Sequence, residues 1–128
     1  MRNFLKRYVK NEKGSQAIEF IAMFPLVILG FLIIWQIALI AFSLVVAESA
    51  ARDGARAASI RDPDWKQVAE RSASGFRVVV SGGPGDDEAR VEVNIEAPVI
   101  ALPFIADIKF DFTADAVMPM EDDPDETD

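Results

Sequence analysis

The feature that most constrains this chain is an uncharged stretch of 28 residues, from Phe20 to Ala47. As an α-helix it would be about 42 Å long, whereas the hydrocarbon core of a bilayer is about 30 Å thick. The apolar region of a secretory signal peptide is only roughly 7–15 residues long, so removal by a signal peptidase after Ala47 is the lesser alternative. We therefore predict a long hydrophobic helix over residues 15–60, with a membrane span at about 20–47 and an exported extension at 48–60.

Charge is distributed unevenly along the chain. Residues 1–13 carry five basic side chains and one carboxylate, a balance of +4, whereas the whole chain has a net charge of -8, which leaves -12 for the remainder. A basic segment ahead of an apolar helix stays in the cytoplasm under the positive-inside rule. We expect a single-pass membrane protein with its N-terminus in the cytoplasm and an exported C-terminal domain. The acidic balance of that domain argues against nucleic-acid binding.

The chain contains no cysteine and no histidine. This composition excludes disulfides and thiol chemistry, and it removes the commonest general base and the commonest metal ligand. The carboxylates Asp86, Asp87 and Glu88 share one glycine-rich loop without the contrasting surroundings that separate an acid from a base, so a membrane-tethered hydrolase is the weakest alternative. We expect no catalytic residues, no metal and no cofactor. The acidic tail 121–128 lacks the ligand spacing of a calcium loop and is predicted to be disordered.

Residues 61–120 have the pattern of a small α+β domain. Asp62 as N-cap, Pro63 at the first helical position and Gly75 as a stop predict a short helix. Beyond Gly75 the apolar period changes from helical to two, which predicts three antiparallel strands separated by the turn 81–88 and by the apolar segment 97–107. The strands have one apolar face, listed here in chain order: Phe76, Val78, Val80; Val91, Val93, Ile95; Ile108, Phe110, Phe112, Ala114, Ala116, Met118.

A single apolar face needs a helix to cover it. Either the short helix or the emerged end of the long helix can do so. The predicted fold class is therefore α+β, with a long N-terminal transmembrane helix that extends into a small exported domain made of a short helix and a three-stranded antiparallel sheet. The apolar segment 97–107 is too rich in large side chains for a three-stranded core, so we expect part of it to contact a partner, the bilayer surface or the long helix.

Small residues line the exported end of the long helix at helical spacing. Such stripes allow another helix to approach closely, although they also suit packing against the chain's own domain. The candidate packing residues are Ala47, Ala50, Ala51, Gly54, Ala55 and Ala58. Nearer the N-terminus, Pro25 removes a hydrogen bond to the carbonyl of Ile21 and predicts a kink.

Glu19 stands at the edge of the apolar run, five residues after Gly14 and behind a basic segment. This order resembles the processing site of type IV prepilins, in which a membrane-embedded peptidase cuts after the glycine. On that resemblance residues 1–14 are a leader, Gly14 and Ser15 flank the cleaved bond, and Glu19 is the fifth residue of the mature chain. An unpaired carboxylate near the bilayer is costly, so Glu19 is assigned to a salt bridge with the new α-amine of a neighbouring chain.

The resemblance extends beyond this motif. The segment "GSQAIEFIAMFPLVILGFLIIWQIALIAFSLVVAESAARDGARAASI", with its Glu-Phe pair, its proline and its "AARDGARAAS" exit, resembles the TadE-like family of the tight-adherence (Tad) pilus systems, and "FDFTADAVMPME" is similar to the closing strand of that family. The resemblance implies a minor pilin, or pseudopilin, of the inner membrane that supports an adhesive pilus. The implied partners are membrane lipid, the prepilin peptidase, other pilins or pseudopilins and the inner-membrane pilus assembly platform.

Two other interpretations stay open. Glu19 can be a boundary residue whose side chain reaches toward the membrane surface without an assembly role. The chain as a whole can be an uncleaved single-pass protein whose exported domain acts as a scaffold or sensor module. Replacement of Glu19 by Gln separates these interpretations, because only the pilin hypothesis predicts lost assembly with intact membrane insertion.

Overall fold

The computed structural model of the chain describes residues 12–100 and 108–122, with side chains from residue 14 onward. The predicted leader up to residue 11, most of the apolar segment 97–107 and most of the acidic tail lie outside the described residues. The elements in chain order are α1 (Glu12–Ser59), α2 (Trp65–Ser72), β1 (Arg77–Pro84), β2 (Glu88–Ala97) and β3 (Phe110–Pro119). This architecture confirms the predicted α+β fold.

α1 is 48 residues long and remains helical through Pro25. Within the described residues it is the one helix that is long and apolar enough to cross a membrane, which fits a single-pass membrane protein. Contacts divide the chain into two compact units, Met1–Ile37 and Ala38–Asp128. All the other helices and strands belong to the second unit, together with nearly half of α1, from Ala38 onward.

α2 begins later than the sequence predicts. Its first residue is Trp65, and Asp64 precedes it without a capping side-chain bond. The predicted N-cap, Asp62, lies two residues before Asp64, and its carboxylate accepts a hydrogen bond from the Asp64 N–H at 2.9 Å ahead of the helix. Residues 62–64 therefore form a capped turn that leads into the helix. Gly75, with φ of 95°, follows the end of α2 in the left-handed conformation expected of a stop residue.

The three strands form one antiparallel sheet in the order β1-β2-β3, as predicted. The predicted turn 81–88 is too long, because β1 continues to Pro84, which pairs with Ala89. Gly82 makes this possible: its φ is 95°, and a Cβ there would overlap the carbonyl oxygen of Arg90. Only glycine fits such a close approach of two strands.

The core lies between one face of the sheet and the two helices. Val91, Val93 and Ile95 of β2 are fully buried, and their partners in β3 are Ala116, Ala114 and Phe112. The same buried cluster includes residues of α1 and α2, listed here: Ala47, Ala50, Ala51, Ala55, Ala58, Ala69 and Ala73. The short helix and the end of the long helix, which the sequence offered as alternatives, therefore both cover the sheet.

Candidate functional site: the long helix and its N-terminal end

The predicted processing site lies at the start of α1. Gly14 and Ser15 are the third and fourth residues of the helix, and Ser15 is exposed. Glu19 lies one helical turn beyond Ser15 and is also exposed.

Glu19 has no ion-pair partner among the residues that the structure describes. The ion pairs there are Glu48 with Arg52, at 3.5 Å, and Arg90 with Asp115, at 3.9 Å. Glu19 therefore presents its carboxylate outward from an apolar helix. A carboxylate in this position lowers its free energy by pairing with a cation or by reaching water.

The segment of α1 from Gly14 to Phe42 contains no buried residue. Most of its large apolar side chains are exposed, and Pro25 and Gly30 lie among them. A Cβ added at Gly30 would meet no atom within 4 Å. We call residues 14–42 the free segment, because none of its side chains is buried by the rest of the chain.

The predicted packing stripe is placed very differently. All six of its residues are buried, and Ala47, Ala50 and Ala51 have no exposed surface at all. At Gly54 the approach is so close that an added Cβ would lie 2.8 Å from the Ala69 Cβ and 3.1 Å from the Val91 Cγ1. The small residues thus bring α1 against α2 and β2 of the same chain, and we call residues 43–59 the packed segment.

Ser43 marks the change from one segment to the other. It is the first buried residue of α1, and its hydroxyl donates a hydrogen bond to the Ile40 carbonyl oxygen at 2.7 Å. The uncharged run therefore has two parts: residues 20–42, which are free, and 43–47, which begin the packed face. The membrane span predicted from the sequence, at about 20–47, includes both parts.

Three contacts fix how α1, from Phe42 at the end of the free segment onward, lies along the sheet. The Phe42 and Phe76 rings are 5.8 Å apart at the start of β1, Gly54 lies against Val91 in the middle of β2, and the Glu121 N–H donates to the Ser59 carbonyl oxygen beyond the end of β3. α1 therefore runs in the same direction as β1 and β3. A fourth contact, from the Ser72 hydroxyl to the Asp53 carboxylate, joins α2 to the same helix.

The loop carboxylates Asp86, Asp87 and Glu88 are exposed at the tight turn between β1 and β2. Their backbone groups close the turn: the Glu88 carbonyl accepts from the Gly85 N–H, and the Asp87 carbonyl accepts from the Met120 N–H. No group of three acidic side chains within residues 12–100 and 108–122 is placed to hold a metal ion. The turn thus has a structural role in joining β1, β2 and the end of β3.

Comparison with known proteins finds a family match for one segment of the chain. No curated protein matches the sequence significantly, and neither does any solved structure. The match that is found covers about a third of the chain, begins at Gly14 and ends within the packed segment, at Arg56. The closing strand, whose likeness to the family is also predicted, lies outside it. Over residues 14–56 the chain matches the model of the TadE-like protein family, which confirms the resemblance for α1 and points to a protein associated with the Tad pilus.

Proposed function

We propose that this protein is a minor pilin, or pseudopilin, of a Tad-type adhesive pilus, held in the inner membrane by α1 and processed by a prepilin peptidase after Gly14. The observation that carries the proposal is the start of the family match at Gly14, the residue after which cleavage is expected. The basic residues before it fall outside the match, as a removable leader would. The N-terminus is then cytoplasmic and the domain after α1 exported.

Cleavage would give Glu19 a specific role. It creates a positive α-amine on Ser15 at the N-terminus of α1, where the helix dipole already disfavours positive charge. A carboxylate beside that amine relieves this cost, and the amine in turn stabilises a carboxylate that has no cation partner among the described residues. Pairing between the amine of one chain and Glu19 of its neighbour would also fix the axial offset between their helices.

The free segment is the surface that remains for other pilins. Before assembly its outward side chains face lipid, and on assembly the same side chains contact neighbouring helices. The stripe of small residues, by contrast, is occupied by the domain of its own chain. We therefore assign packing between subunits to residues 15–42, rather than to the whole helix 15–60, and we assign the assembly platform and other pilins as the partners of this segment.

The first test is the N-terminal sequence of the protein from cells with and without their prepilin peptidase. We expect the mature chain to begin at Ser15 only when the peptidase is present. A chain that keeps Met1–Gly14 in both strains would contradict processing and would leave the uncleaved scaffold or sensor interpretation.

The second test replaces Glu19 by Gln, with Glu48 to Gln as the matched control. Both changes remove one exposed carboxylate from α1, but Glu48 pairs within the chain, with Arg52. We expect Glu19→Gln to abolish or strongly reduce pilus assembly and to leave membrane insertion intact, whereas Glu48→Gln should assemble normally. Normal piliation with Glu19→Gln would assign Glu19 to the membrane boundary instead.

A further inference from the structure

One end of the exported domain lies level with the beginning of the packed segment. Phe76, which contacts the Phe42 ring, directly precedes β1. The register places the neighbouring strand ends beside it, since Arg77 pairs with Glu96 and Ala97 pairs with Phe110. The connection from β2 to β3 therefore leaves and re-enters the sheet at the height of Phe42.

Apolar side chains are exposed at this same end. Val99 is 38% exposed, Ile108 is 47% exposed and Phe110 is 36% exposed, although all three flank a strand end of a folded domain. α1 also exposes apolar side chains at this height, at Phe42, Leu44 and Val45. We call these six residues the apolar rim.

The length of the free part of the uncharged run indicates what the rim meets. Residues 20–42 are 23 in number and span about 34 Å as a helix, close to the ~30 Å hydrocarbon core of a bilayer. If this part of α1 crosses the membrane, Phe42 comes to lie in the headgroup region on the exported side. The rim, at the height of Phe42, lies there as well.

We propose that the apolar rim rests in the headgroup region of the bilayer, so that the exported domain makes a second contact with the membrane through Val99, Ile108 and Phe110. This contact goes beyond the pilin function and depends only on α1 crossing the membrane. It orients the domain against the lipid surface before any assembly takes place.

Position and charge favour lipid over a protein partner. Among the described residues at this end, Arg77 and Lys109 offset Glu96 and Asp111, so these side chains carry no net charge that anionic headgroups would repel. A stable protein interface buries roughly 1,000 Å² or more. A bilayer contact needs no such area, because α1 already holds the domain at the membrane.

The test uses the absence of native cysteine in the chain. Single variants Val99→Cys and Ile108→Cys in the full-length protein are labelled with an environment-sensitive fluorophore and reconstituted in phosphatidylcholine vesicles. Quenching is measured with nitroxide lipid in the membrane and with iodide in the water. Val117→Cys is the matched control, since Val117 is 41% exposed but lies toward the other end of β3, opposite Arg90. A label at Ile34→Cys, in the free segment, reports whether α1 has inserted.

We expect several-fold stronger quenching by nitroxide lipid at positions 99 and 108 than at 117, with weak quenching by iodide. Strong iodide quenching and weak lipid quenching at 99 and 108 would show that the rim faces water and would overturn the proposal. Protection from both quenchers would show that protein covers the rim, which also overturns it. In each case the Ile34 label should be quenched by lipid, so a failure of insertion is distinguished from a failure of the rim to bind lipid.

Discussion

The free and packed segments of α1 are parts of one helix, and both are rich in apolar residues, but they have opposite surroundings. The free segment, residues 14–42, carries large side chains such as Phe31, Ile34 and Trp35, all of them exposed. The packed segment, residues 43–59, carries alanine, serine and glycine on its buried face. Side-chain size thus separates the surface offered to the surroundings from the surface used by the chain's own fold.

The physical reason lies in how closely two backbones approach. A helix covers a sheet tightly when its contact residues are small, because the large side chains of the sheet then fill the space between them. Here β2 supplies Val91, Val93 and Ile95, and α1 supplies alanines. Large side chains on the free segment instead remain exposed, which suits the contacts with lipid or neighbouring helices that we propose for it. Three variants test this contrast, and two of them have a counterpart in the free segment.

The largest loss of stability is expected from removing a large side chain beneath the packed segment. Ile95→Ala leaves a cavity that the alanines of α1 cannot fill, so we expect a loss of about 2–5 kcal/mol in the free energy of unfolding. Ile34→Ala, in the free segment, should leave the unfolding of the domain unchanged. Denaturation of the detergent-solubilised protein, followed by Trp65 fluorescence in a Trp35→Phe background, measures both. Equal losses in the two variants would contradict the division of α1.

The next loss of stability is smaller and concerns two glycines of the same helix, Gly54 and Gly30. Gly54→Ala places a methyl group 2.8 Å from the Ala69 Cβ, a rigid neighbour, and overpacking of this kind costs about 1–3 kcal/mol. Higher helix propensity returns about 1 kcal/mol of this, so a modest net destabilisation is expected. Gly30→Ala meets no atom and should not destabilise the domain. The same denaturation experiment tests the pair, and an unchanged midpoint for Gly54→Ala would show that α1 and α2 separate easily.

The smallest effect is expected where the packed segment faces outward. Glu48 and Arg52 form an ion pair one turn apart, with both side chains more than half exposed. Exposed pairs of this kind contribute about 0.3–0.5 kcal/mol and are weakened by salt. Glu48→Gln should therefore lower the free energy of unfolding only slightly at low ionic strength, and the difference should vanish in concentrated salt. A loss of the size expected for Ile95→Ala would mean that Glu48 has a further partner.

The local elements followed from the sequence because their signals are local. The period-two alternation of Val91, Val93 and Ile95 identified the buried face of β2. The N-cap predicted at Asp62 was wrong by two residues, because α2 begins at Trp65 after Asp64. Predictions that depend on how closely two segments of backbone approach each other were wrong. β1 runs through Gly82 to Pro84 because glycine tolerates both the positive φ and the nearby Arg90 carbonyl, whereas a glycine-rich stretch by itself predicts a turn.

The sequence alone determined the composition of α1, the uncharged run, the basic residues ahead of it and the position of Glu19 relative to Gly14, because each depends on residues that are neighbours in the chain. Only the tertiary structure decided where that run stops being free. The burial of Ser43 and Ala47 depends on a sheet formed 30 or more residues later, and side chains of one composition suit lipid or a protein core equally well. The fold therefore divides the run at Ser43, and the same division places Val99, Ile108 and Phe110 level with Phe42.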